Sequence, residues 1–346
     1  MNNITNQSYI ESGVAKPPRL GFFRGSKKED VPLHPFRVIV QKEISDQVRS
    51  WRFIILIAII ALTTLGSIYT ALNGLSNAIK AGNLNDSFLF LKLFTASNGT
   101  LPSFFVFIGF LVPLLGIAMG FDAINSEHNN GTLSHLLAQP VHRDYLINAK
   151  FVAAITVITF MFFALGFLVM GVGLISIGVP PTPEEFWRII FFIILSILYV
   201  AFWLNLSILF SVKFRQPATA ALTVIAIWLF FTVFYPMIVN LIAKSMVSPN
   251  MAEGYQAYVV TQIKVDLMRF VPNQLFSDAT TTLLVPTVRS LGPLTIQQMV
   301  GTIPGPLPLG QSLLLVWPQV TGLIAATILC FVISYVMFMR REIRSR

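Results

Sequence analysis

Six stretches of the chain are apolar almost without interruption over about 20 residues or more, the length a helix needs to cross ~30 Å of hydrocarbon. They run over 53–73, 102–121, 150–178, 187–211, 218–243 and 313–339. Lipid offers backbone amides no partner, so a segment inside it must satisfy them internally, as a helix does. The pattern predicts an all-α integral membrane protein with six transmembrane helices. The third and fifth runs are long enough to tilt or to project beyond the bilayer.

A different period precedes the first run. Phe36, Val40, Ile44 and Val48 recur every four residues and Trp51 extends the row, while Arg37, Gln41, Glu43, Asp46 and Arg49 take other faces. This spacing predicts an amphipathic interfacial helix over 35–52. Arg49, Trp51 and Arg52 at its end suit the headgroup plane, although a plain basic anchor beside the membrane uses the same residues. Residues 1–34 hold Pro17, Pro18, Pro32, three glycines and a mixed charge cluster from Lys27 to Asp30. They are expected to be a flexible cytoplasmic tail, and 53–346 a six-helix domain. Between the fifth and sixth spans, 244–312 contains a helical stretch near 251–270 and a Pro- and Gly-rich piece from Gly292 to Gly310. It reads as a small extracytoplasmic loop subdomain, and a loop of this length points to a gating or substrate-facing role.

Composition sharpens the class. Apolar residues make up 55% of the chain and charged residues 11%, where a soluble domain carries about 25% charged. Mean hydropathy is +0.72. The net charge of +9 is not a nucleic-acid-binding face, because the 24 Lys and Arg punctuate apolar runs. Their placement sets orientation instead. Nine lie between Lys16 and Arg52, two are Arg143 and Lys150, two are Lys213 and Arg215, and four end the chain. Those seventeen share one side and seven lie on the other, so both termini are expected in the cytoplasm, in a multi-pass cell (plasma) membrane protein. The single cysteine, Cys330, permits no disulfide within the chain and no thiolate cluster. The residues before 53 are polar and basic, so no cleaved secretory signal is expected.

One internal connection is unusually polar. In the loop 122–149, Asn129, Asn130 and Gly131 break the chain, Thr132 can cap the turn that follows, and Leu133, Leu136 and Leu137 form an i, i+3, i+4 patch before Pro140. Flanked by Glu127 and Arg143, this apolar knob suits a groove on a soluble partner. Spacing alone equally allows a loop helix packed on its own bundle.

Asp122, Ile124, Glu127, Gly131, Thr132, Leu133, Leu136, Leu137, Pro140, Arg143 and Lys150 stand at the spacing of a known family. With Lys42 and Glu43 in the amphipathic helix, six spans and the enlarged loop before the last, the chain resembles the type 2 permease subunits of ABC exporters. The nearest subgroup is the permease of the nitrous-oxide-reductase maturation exporter. The extended N-terminal tail and the long 244–312 loop depart from the shorter family pattern. The resemblance implies a pair of permeases, as a homodimer or with a close paralogue, on ATP-binding subunits that hold ATP and magnesium. It makes the 128–140 region the coupling helix, with Glu127, Gly131, Thr132, Leu133, Leu136, Leu137, Pro140 and Arg143 facing the ATPase. No cofactor, metal or catalytic residue is expected in this chain, which has no GxxxxGK[ST] loop.

Other candidates carry less. His128, His135 and His142 are spaced by seven, but Gly131 and Pro140 interrupt any helix that would stack them. No Asp or Glu lies well inside a span, which argues against an ion-coupled secondary transporter. An intramembrane enzyme would need an HExxH, Asp–Asp or Ser–His constellation within the spans, and none is written there. Asn205, with Ser207 and Ser211, and Asn240 are polar residues for a pathway or for helix packing. Pro113 and Pro236 each remove a helical hydrogen bond.

Overall fold

The computed structural model describes residues 34–80, 88–97, 102–129, 131, 142–247, 253–290 and 305–340, with the backbone alone for 76–80, 128 and 253. Twelve α-helices form in chain order among them. The first is α1 (Pro35–Val48), and α2 (Trp51–Lys80) is the first long one. Next come α3 (Leu89–Thr95), α4 (Phe104–Gly120), α5 (Asn125–Asn129) and α6 (Arg143–Ile177). The seventh, α7, is Pro183–Lys213. The fifth span is α8 (Pro217–Leu229), a π-helical turn (Phe230–Phe234) and α9 (Tyr235–Ser245). Finally α10 (Glu253–Met268) and α11 (Pro272–Leu284) precede α12 (Leu309–Arg340). Six helical segments are long and apolar enough to cross a membrane, and they coincide with the six apolar runs.

The amphipathic helix is shorter than its pattern predicts. It stops at Val48, and Trp51 starts α2 rather than extending the row. Ser50 makes the break: its hydroxyl donates to the Gln47 carbonyl at 2.8 Å and accepts from the Phe53 amide at 3.3 Å, capping α2.

The fourth span is the hub. In its most apolar window 67% of residues are buried, against 17% for the fifth, so α7 is surrounded by protein while α8 and α9 face outward. Tyr199, Val200, Trp203, Leu204 and Ile208 of α7 are buried, with Tyr199 stacked on Phe276 of α11 at 4.4 Å. Phe94, Phe104 and Phe192 meet edge to face at 5.4–6.2 Å, joining α3, α4 and α7.

The tightest contact lies along Gly116 and Gly120 of α4. A Cβ at Gly116 would stand 2.9 Å from both the Val200 oxygen and the Leu204 nitrogen, and one at Gly120 would stand 2.8 Å from Ser207 Cβ. Two glycines one turn apart thus bring helix backbones into contact, the small-residue device of membrane helices. Ser207 Oγ donates to the Ile117 carbonyl at 3.0 Å, and Ser211 Oγ accepts from the Ile124 and Asn125 amides at 3.0 and 3.3 Å. This seam carries α4 rigidly into α5. Gly120→Val should destabilise the chain by about 1–3 kcal/mol through overpacking, read as a lowered unfolding midpoint in detergent micelles.

On the side of the membrane away from α1, Gly178 closes α6 in the left-handed region at φ 78°. Thr182 and Glu185 form a capping box at the start of α7, and Glu185 also accepts from the Phe90 amide of α3 at 2.9 Å. Arg188, one turn on, is fully buried. It donates to Glu184, to Ser312 Oγ at 3.2 Å, and to the Leu283 and Leu307 carbonyls at 2.9 and 2.6 Å. One guanidinium therefore joins α7, the end of α11 and the start of α12. Within the long loop before the last span, α10 occupies the predicted helical stretch, while the second helix, α11, is an addition to the sequence reading.

Candidate functional site

The polar loop after the second span is held at both ends. Beyond Gly120 the chain makes a turn and a short helix, α5, which places Glu127 inward, and Gly131 follows at φ 72°. After the loop, α6 begins at Arg143, and Lys150 lies on its second to third turn. Lys150 Nζ sits 2.7 Å from Glu127 Oε1 and 2.9 Å from Glu43 Oε2 of α1. All three side chains are buried, at 8% exposure for Lys150 and Glu43 and 11% for Glu127.

An ammonium has three donors and here spends two on charged acceptors, contacts stronger than neutral ones. Removing the cation would leave two buried carboxylates facing each other, with Glu43 keeping only the more distant Lys42 at 3.5 Å. The arrangement ties α1, α5 and α6 together where the loop leaves and rejoins the bundle. Asn129 adds a third tie, donating to the Arg215 carbonyl after α7 at 3.0 Å. Arg52, at the start of α2, pairs with Asp122 and lies over the Phe121 ring at 4.8 Å. Phe36 of α1 meets Tyr145 of α6 edge to face at 5.6 Å.

Of the residues expected to face a partner, Glu127, Gly131 and Arg143 are described. Glu127 points into the triad, while Gly131 and Arg143 are exposed. Thr132, Leu133, Leu136, Leu137 and Pro140 lie outside the described residues. His142 is exposed at the start of α6, its ring 5.4 Å from that of Tyr145, and His135 lies outside the described residues. Among the described residues no three His, Cys, Asp or Glu side chains gather as a metal site.

Residues 37–343 match the family model for ABC-2 family transporter proteins. The chain belongs to this family. It is 25% identical over 201 residues to the probable ABC transporter permease protein NosY of Stutzerimonas stutzeri, and 28% identical over 208 residues to the protein of that name in Pseudomonas aeruginosa. Each match covers 58% of this chain and 67% of the relative.

In this ABC-2 chain Asn205, Ser207 and Ser211 make contacts between helices. Asn205 is buried on α7, its amide 3.5 Å from the Thr327 carbonyl of α12, and Ser207 and Ser211 hold the α4 seam. Asn240 is half-buried on α9. The family resemblance picks out Glu43, Glu127 and Lys150 separately, but nothing local marks Glu43 as the partner of the other two. Arg188 and Glu185 were missed, and so was the Gly116–Gly120 pair, although a GxxxG within an apolar run is a readable signal.

Proposed function

We propose that the chain is the permease subunit of an ATP-driven exporter, forming the membrane pathway and taking its energy from a separate ATP-binding subunit. The observation that carries this reading is the buried Lys150–Glu43–Glu127 triad, which fastens both ends of the 130–142 loop to the bundle. The helices on either side of the loop, α5 and α6, are thereby tied to each other and to α1. A push delivered to these helices becomes a rigid-body displacement of the packed bundle, the usual form of such switching.

The α1 side is the cytoplasm in this scheme, with both termini there and the chain in the cell membrane. The ATPase binds ATP and magnesium and hydrolyses the nucleotide, and two permeases, identical or closely related, sit on two ATPases. Leu133, Leu136 and Leu137 supply the apolar contact to the ATPase, with Gly131, Thr132, Pro140 and Arg143 shaping its rim. The names of the two NosY relatives agree with the permease role. Leu133→Asp should reduce co-purification of the ATP-binding subunit by about tenfold or more, the loss expected for a buried anchor at an interface. The variant should still elute as the intact membrane protein, and an association that survives it unchanged would sink the coupling assignment.

A further inference from the structure

Contacts to α7 and α12 fix the level of both ends of α11. At its outer end, away from α1, Arg188 of α7 donates to the Leu283 carbonyl at 2.9 Å and to Ser312 of α12 at 3.2 Å. At its other end Tyr199 of α7 stacks on Phe276 at 4.4 Å and donates to Asn273 Oδ1 at 2.5 Å. Leu275 there lies 3.3 Å from where a Cβ on Gly322 of α12 would stand. At about 1.5 Å per residue, the course from Arg188 to Tyr199, or from Ser312 to Gly322, descends roughly 15 Å, half of a ~30 Å hydrocarbon core. Exposed Trp187 and Leu314 mark lipid near the level of Arg188 and Ser312, and Tyr199 lies midway along α7 between Glu185 and Lys213. The inner end of α11 therefore sits near the bilayer midplane.

The end of α10 descends with it. Tyr235 of α9 donates to the Leu267 carbonyl at 3.0 Å, about one turn beyond Thr232, whose hydroxyl accepts from the Asn273 amide. On α11, Pro272, Phe276, Ala279 and Leu283 are buried, whereas Gln274, Ser277, Asp278 and Thr281 form a stripe on the opposite side that is half-buried or exposed. Asp266 and Arg269, paired at 3.4 Å at the end of α10, are half exposed or more, and Arg269 is within electrostatic reach of Asp278. Ionised side chains at this depth are kept from lipid and face water or protein.

We infer that α10 and α11 form a re-entrant hairpin whose polar side is one wall of a water-filled vestibule, open on the side away from α1 and reaching about halfway across the bilayer. The vestibule admits small polar solutes and excludes acyl chains. Its floor is the hydrogen-bonded chain from Tyr199 through Asn273 to Thr232, which joins α7, α11 and the π-helical turn. Lipid is a poor occupant because it would meet three charged groups, Asp266, Arg269 and Asp278. A second copy of the chain would have to bury the same three, whereas the centres of protein interfaces are poor in charge. In the permease reading the vestibule is the outer half of the pathway, and the inference rests on that reading for this use alone.

The test uses the full-length chain in liposomes, with Cys330→Ser removing the one native thiol. Nitroxide labels are placed singly on Ser277→Cys, on Thr281→Cys and, as a control, on Ile194→Cys, an exposed apolar position of α7 between the levels of Arg188 and Tyr199. Each label is saturated in the presence of a water-soluble nickel chelate or of oxygen, which concentrates in hydrocarbon. The chelate should relax the labels at 277 and 281 more than oxygen does, and the order should reverse at 194. Gln274→Cys repeats the reading if either stripe variant fails to elute as intact protein. A preference for oxygen along the stripe overturns the proposal, because the stripe then faces lipid. Access by neither relaxant overturns it as well, because protein then covers the stripe. Leu133→Asp tests the permease reading separately, and its outcome leaves these accessibilities unchanged.

Discussion

Lys150→Met is expected to destabilise the chain by about 3–5 kcal/mol, the range for breaking a buried ion pair by removing one partner. The substitution nearly keeps the side-chain volume, so packing is not the cause. What changes is charge: Glu43 and Glu127, both buried and both previously against the same ammonium, are left facing each other, while Glu43 keeps Lys42 at 3.5 Å. The effect should centre on α1. Without the triad that helix keeps only partly buried Phe36, Ile39, Val40 and Ile44, plus the Phe36–Tyr145 contact. Amide exchange and protease cleavage in 35–48 should therefore rise more than in the spans. Adding Glu43→Gln to Lys150→Met should recover part of the loss, because it removes one of the stranded charges. If the single variant unfolds at the same midpoint as the parent, the triad is not holding α1.

Arg188→Met should cost a comparable amount at the other end of the spans, roughly 3–5 kcal/mol, since the Leu283 and Leu307 carbonyls and Ser312 lose their donor together. Arg188→Lys should rescue little of it. An ammonium is a point charge on a flexible stem, whereas the guanidinium fork reaches three segments at once. Exchange should quicken in 283–290 and 305–312 and stay unchanged in α1. Because the two clusters share no partner, the losses in a Lys150→Met, Arg188→Met double variant should add. A clearly non-additive result would mean that α7 passes strain between the two ends.

The spans were legible because lipid leaves an apolar segment little alternative to a helix, and every one of the six apolar runs became a long helical segment, the fifth with a π-helical turn inside it. Short helices in the connections were not. Leu89–Thr95 has Phe90, Leu91, Leu93 and Phe94 all buried and only Lys92 and Thr95 on a polar face, too short a pattern for seven residues to declare a helix. The site was legible only by halves. Glu43 looks like a solvent-face residue beside the Phe36, Val40 and Ile44 row, yet three and seven positions beyond Val40 and Phe36 it lies on the face those two share. Its burial depends on a lysine 107 residues away, which no local pattern reveals. By contrast, Thr182-Pro183-Glu184-Glu185 spells a capping box, and Gly116 and Gly120 spell a close helix contact.

The π-helical turn at Phe230–Phe234 has a consequence for reading the fifth span. Such a turn carries one residue more than an α-helical path of the same course. Each residue of an α-helix advances about 100° around the axis, so α8 and α9 are out of phase by roughly that angle. A helical wheel drawn straight through 217–245 therefore mixes two different faces. Wheels drawn separately for Pro217–Leu229 and Tyr235–Ser245 keep each face intact, and an alignment to a relative without the turn belongs with a one-residue gap between them.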